Sequence, residues 1–136
     1  MLTDLSRSLM AVFILSALSL ITNTLVQGQT EQQQQSPPIA NAGPDQVVNE
    51  GDQVTLTGTS SYDSDGEIIS YMWGVEDSDD ESPAVVLEGQ NTAIATFTAP
   101  RIVGDVNSNS YLFELTVTDN KGLIGSNTTD VVVVKK

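Results

Sequence analysis

The chain has neither cysteine nor histidine among its 136 residues. The first absence excludes disulfides, thiolate metal sites and a cysteine nucleophile. The second removes the usual general base near neutral pH and most zinc sites, leaving Asp, Glu, Lys, Tyr and Ser as the chemical groups. We therefore read the chain as no enzyme. Carboxylates such as Asp65 and Glu67 could in principle work as a glycosidase pair, but nothing in the pattern suggests a cleft to hold a sugar between them. Aromatics are scarce, at one Trp, three Tyr and three Phe, and so are cations: five Lys and Arg stand against 18 Asp and Glu, a net charge of −13. A chain this acidic is repelled by nucleic acid and by anionic membrane surfaces, which excludes nucleic acid as a partner and favours cations or basic proteins.

What the chain does contain begins with a leader. Arg7 precedes an apolar run over residues 9–20 (LMAVFILSALSL), of signal-peptide length. Val26-Gln27-Gly28 offers small residues where a signal peptidase inspects the chain, so residues 1–28 read as a signal peptide cleaved after Gly28. The alternative is an uncleaved signal anchor, the one way this chain would touch a membrane. Residues 29–38, QTEQQQQSPP, form a Gln/Pro-rich linker with little to bury, read as disordered. The folded domain is expected over residues 39–136.

From Ile39 the pattern has period two. Val54 and Leu56 alternate with Thr55 and Thr57. Ile69, Tyr71, Trp73 and Val75 are expected to share one buried face, residues 85–87 to make a short strand, and Ala93, Ala95 and Phe97 to line one side of another. The clearest strand is 111–118, with Tyr111, Phe113, Leu115 and Val117 opposed to Glu114, Thr116 and Thr118. Asp119-Asn120-Lys121-Gly122 is a turn signal, and a valine run closes the chain. No helical period appears outside the leader. Seven to eight strands in this length predict an all-β, immunoglobulin-like antiparallel β-sandwich behind an N-terminal hydrophobic signal helix. Trp73 falls on the strand expected to carry a buried tryptophan, and Tyr111 is placed like a tyrosine corner.

Six motifs, ANAGPDQVV (40–48), VTLTG (54–58), SYDSDG (61–66), ISYMW (69–73), FTAP (97–100) and FELTVTD (113–119), together resemble the PKD (polycystic kidney disease) domain over about residues 38–134. Within that family they look most like the PKD repeats of dyslexia-associated, KIAA-type and prokaryotic surface proteins. The resemblance implies an extracellular or cell-surface, immunoglobulin-like module used for adhesion, spacing or contact with a protein or glycan; the chain is expected to be a monomer. A carbohydrate-binding accessory module of a secreted polysaccharide- or protein-degrading system is the alternative. One departure stands out: family members often follow the tryptophan with an Asp-Phe-Gly-Asp-Gly turn, whereas Trp73 leads into GVEDSDDE.

In such a fold Asn41, Asp63, Asp65, Asp119 and Asn120 would gather at one pole. Hard oxygen donors of this kind suit calcium, and some PKD domains of secreted collagenases bind it near this pole. The plainer reading is that these residues only make Asx turns around Gly66 and before Gly122. At the opposite pole the acids of residues 76–81 either recruit a basic partner or form a solvated loop. Asn127-Thr128-Thr129 is a glycosylation sequon on or beside the last strand, meaningful if the chain is exported where that machinery exists.

Overall fold

The strongest alternation in the sequence becomes the centre of the molecule. In the computed structural model, which describes residues 34–78 and 82–136, Ser108–Asp119 buries every second residue along its length. We number the strands β1 (Gln46–Asn49), β2 (Gln53–Thr57), β3 (Ile68–Ser78), β4 (Ile94–Thr98), β5 (Ser108–Asp119) and β6 (Ile124–Val134). They form a four-stranded sheet of order β1-β6-β5-β3 and a two-stranded sheet, β2-β4. Residues 35–136 make one compact unit. The leader and the linker as far as residue 33 lie outside the described residues.

The core lies between the sheets. Val54 and Leu56 of β2 and Ala95 and Phe97 of β4 pack against Trp73, Phe113, Leu115, Val117, Val131 and Val133. Phe97 and Phe113 span the gap with ring centroids 4.9 Å apart, within the favourable range for an aromatic pair. Burying a ring of this size stabilises by roughly 2–3 kcal/mol. Packing of this kind holds the sheets together in a chain without cysteine.

Five expectations need correction. Among the described residues there are six strands rather than seven or eight. Residues 85–87 are not a strand: Val85 and Leu87 pack against the core, Val86 is 80% exposed, and only the single bridge from Glu88 to Thr96 joins this segment to β4. The pairing is not wholly antiparallel, because β1 runs parallel to β6 from Gln46↔Val131 to Asn49↔Val134. Alternation shows which face is buried, but strand direction depends on how distant segments meet. In β3, Ile69 and Val75 are not buried with Trp73, being 66% and 40% exposed; Val75 keeps the register of Trp73 and pairs with Phe113, while Ile69 falls in the shift at Ile68/Ser70. Register shifts at Ile68/Ser70 and Val75/Asp77 bend β3 at both ends and put Ile68 on the core instead. The same strand continues to Ser78, so the acidic run starts within a strand rather than in a loop.

Tyr111 is fully buried, and its hydroxyl donates to the Pro83 carbonyl at 3.1 Å. A tyrosine corner reaches a few residues upstream; this one reaches back 28 residues and pins the β3–β4 connection. That connection also covers the open edge of β3, where the Trp73 N–H donates to the Gln90 carbonyl at 2.7 Å.

Candidate functional site

Three segments meet at the pole where β3 begins and β5 ends: the lead-in residues 35–42, the β2–β3 loop and the β5–β6 hairpin. The lead-in is held firmly. Ile39 and Tyr62 exchange two backbone hydrogen bonds of 2.7 and 3.0 Å, the Asn41 N–H donates to Ser61 Oγ at 2.9 Å, and the Ala42 N–H donates to Asn127 Oδ1 at 2.9 Å. Pro38 is buried, with its carbonyl lying against Gly125 of β6. Structure thus begins before the linker boundary expected at residue 38: even the Ser36 N–H donates to Asp65 Oδ2, at 3.3 Å.

Asx turns account for much of the acidic cluster. Asp63 Oδ1 accepts the Asp65 N–H at 3.1 Å. Asp119 is fully buried, and its Oδ1 accepts the N–H groups of Lys121 and Leu123, each at 2.8 Å, which closes the hairpin. Gly122 completes that turn with a φ of +82°, in the left-handed region where a side chain is strained. Asn120 donates its N–H to the Glu67 carbonyl at 2.9 Å, and its Oδ1 lies 3.5 Å from the Glu67 N–H. Gly66 leaves the room for this closure. The Asp63 carboxylate and the Asn120 side-chain oxygen close over it, and a Cβ there would meet both.

Lys121 was not anticipated as a site residue. Its ammonium lies 2.7 Å from Asp65 Oδ2 and donates to the Asp65 carbonyl, also at 2.7 Å, crossing 56 residues of sequence. The signal was available, since Lys121 is the one cation between Arg101 and Lys135 and sits in the turn facing SYDSDG. The Lys121 ammonium, partly offset by desolvation and helped by the Ser36 N–H, holds the Asp65 carboxyl below its usual range.

The five residues expected to converge are therefore arranged unequally. Asp63 and Asn120 meet over Gly66, and Asp65 and Asp119 are linked through Lys121, while Asn41 Oδ1 is engaged by the Gly43 N–H at 2.9 Å. For calcium this is a poor fit. Asp63 Oδ2 and Asp119 Oδ2 are buried without a hydrogen-bond partner, yet a lysine already supplies positive charge at this pole, 2.7 Å from Asp65 Oδ2. No group of three or more Asp or Glu side chains is arranged to hold a metal among the described residues.

The opposite pole has its own clamp. Glu50 accepts the N–H groups of Ile102 at 2.9 Å and Lys136 at 3.4 Å, and the Lys136 ammonium reaches Asp52 at 3.2 Å. The hydrogen bond from Ile102 is the main reason the Glu50 carboxyl titrates low. The side-chain bond from Asn49 does the same for Asp52. On the outer sheet face, Glu76 titrates high because it shares a hydrogen bond with the Glu114 carboxyl and is repelled by its charge. Residues 79–81, which carry the rest of the acidic run, lie outside the described residues.

A two-sheet sandwich with Trp73 and Tyr111 in its core and Asx turns at one pole defines an immunoglobulin-like module. Residues 42–133 match the family described as "K319L-like, PKD domain", and the chain belongs to it. It is 35% identical over 98 residues to the mouse dyslexia-associated KIAA0319-like protein, a match covering 71% of this chain and 8% of that relative. It is 30% identical over 116 residues to chitinase A of Pseudoalteromonas piscicida, covering 84% of this chain and 13% of the other. The solution structure of the PKD domain from the KIAA 1837 protein superposes with a TM-score of 0.59 at 34% identity, covering 74% of this chain and 90% of that one. The chain thus spans a small fraction of the curated relatives it matches.

Proposed function

We propose that this chain is a non-catalytic extracellular or cell-surface PKD module that serves adhesion or spacing through contact with protein or glycan. The observation that carries the reading is where the chain enters and leaves the fold. It arrives beside Gly125, near the start of β6, and leaves beyond Val134 at its end. The nine strand steps from Gly125 to Val134, at about 3.3 Å each, separate the two points by roughly 30 Å. A body gripped at opposite ends of its long axis suits a spacer, and the family membership and the apolar leader support export.

Tension along that axis loads the four register pairs of the parallel β1–β6 ladder together. Single-molecule stretching between residues 35 and 136 should give one cooperative rupture, and stepwise unzipping at low force would refute the spacer. Protease added to intact cells should remove an epitope tag placed after Lys136; complete protection would refute surface exposure.

A second reading, polysaccharide binding, is favoured by the similarity to chitinase A together with Tyr62, which is 54% exposed beside the lead-in. Trp73, Tyr111, Phe97 and Phe113 are buried and Tyr71 packs against the core, so among the described residues Tyr62 is the aromatic left to stack on a sugar. Retention on insoluble chitin that is lost in Tyr62→Ala would favour this reading; no retention by the unaltered chain removes it.

A further inference from the structure

We propose that Asn127 is the acceptor for an N-linked oligosaccharide, attached before β6 docks onto the fold. Asn127 is exposed on β6. Its Oδ1 is held by the Ala42 N–H at 2.9 Å, while its Nδ2, the atom that would bear the sugar, donates no hydrogen bond to the described residues. An N-glycosidic linkage consumes an Nδ2–H and leaves the amide oxygen in place. The glycosylated residue therefore keeps its bond to Ala42, and the oligosaccharide leaves the surface at the pole where the chain enters the domain.

The other recognition group of the sequon behaves differently. Thr129 is fully buried, and its hydroxyl donates to the Pro44 carbonyl at 3.0 Å. A transferase that reads the hydroxyl two residues after the asparagine cannot reach it in the folded domain. It must meet the segment before β6 pairs with β5 and before residues 42–45 close over it. In chemical terms, Nδ2 forms a bond to the anomeric carbon of a polyprenyl-phosphate-linked oligosaccharide. The bond from that carbon to the lipid phosphate oxygen breaks, the phosphate leaves with the electron pair, and one Nδ2 proton passes to a base of the transferase.

The test places the full chain behind a cleavable secretory leader known to work in the host, so the outcome does not depend on how residues 1–28 behave. Translated into translocation-competent microsomes, the protease-protected chain should carry one mass increment removed by N-glycosidase. Asn127→Asp, which keeps an oxygen for the Ala42 N–H, should lack the increment and still give the wild-type fold by circular dichroism. The purified, folded chain offered to solubilised transferase should stay unmodified, while the same chain held in denaturant and diluted into transferase should be modified. An unmodified protected chain, or an increment that survives Asn127→Asp, overturns the site. Equal modification of folded and unfolded chains overturns the timing.

Discussion

Gly125→Ala should unfold the lead-in of this domain although it adds one methyl to a β-strand. In a strand the change by itself is favourable, by about 0.5–1 kcal/mol, because alanine loses less backbone entropy on folding than glycine. Space decides against it. The new Cβ would stand in hard contact with the Pro38 carbonyl oxygen and 3.1 Å from its carbon, and neither is the movable end of a side chain. Relief requires residues 36–42 to lift from β6. That movement loses the two Ile39–Tyr62 hydrogen bonds, Asn41 N–H to Ser61 and Ala42 N–H to Asn127. At a net value of about 1 kcal/mol each, complete release costs about 4 kcal/mol. A partial shift costs less, and overpacking generally costs about 1–3 kcal/mol. Set against the entropic gain, the expected destabilisation is about 1–3 kcal/mol. For a domain of this size 1 kcal/mol moves the melting temperature by about 4–8 °C, so the drop should be on the order of 10 °C. Gly74→Ala is the control, because a Cβ at Gly74 meets nothing within 4 Å; it should melt at or slightly above wild type. Thermal denaturation by circular dichroism measures both, and hydrogen exchange at Ile39 and Ala42 locates the loss. If Gly125→Ala melts with Gly74→Ala, the packing of residues 36–42 on β6 is not what holds this end of the domain.

Three further outcomes follow from the same contacts. Tyr111→Phe removes the hydroxyl bonded to the Pro83 carbonyl and should cost about 1 kcal/mol, with faster limited proteolysis between β3 and β4; unchanged cleavage would refute the pinning. Asp65, Glu50 and Asp52 titrate below their usual range when folded. The stability they contribute is therefore present above the unfolded carboxylate pKa of about 4 and is lost as pH falls through their lower folded values. Glu76 titrates high against Glu114, so its contribution has the opposite sign: repulsion at neutral pH is relieved as pH falls through its raised folded value. Melting curves across pH should show the acid loss in the wild type, and Glu114→Gln should raise the neutral-pH melting temperature; no rise would refute the carboxyl pairing. Last, Lys121 supplies the positive charge beside Asp65, so melts in millimolar calcium and in chelator should coincide. A calcium-dependent rise would mean that Asp63 and Asp119 coordinate the ion despite Lys121.

The acidic pole shows how far the chain could be read unaided. Asp63, Asp119 and Gly122 announce their turns locally, because an Asx turn needs a short polar side chain two residues from the N–H it accepts, and both lie in one stretch of sequence. The partner of Asp65 was not readable in that way, since the ion pair to Lys121 depends on two loops 56 residues apart meeting at one end of a sandwich. Asn41 shows the reverse error. It reaches the expected pole, but its side chain is taken by its own turn at Gly43.

The β class, the buried face of β5 and the roles of Trp73, Phe97 and Phe113 in the core are written in the order of residues, because side chains alternate across a strand and apolar residues at every second position must be covered. So is the hairpin at Asp119–Gly122. The parallel run of β1 on β6, the shift that turns Ile69 outward, the tie from Tyr111 to Pro83 and the press of Pro38 on Gly125 arise only in the assembled fold. The difference is one of range. Periodicity and turn chemistry act over a few neighbouring residues, whereas strand direction, register and backbone contact arise where segments dozens of residues apart compete for the same space.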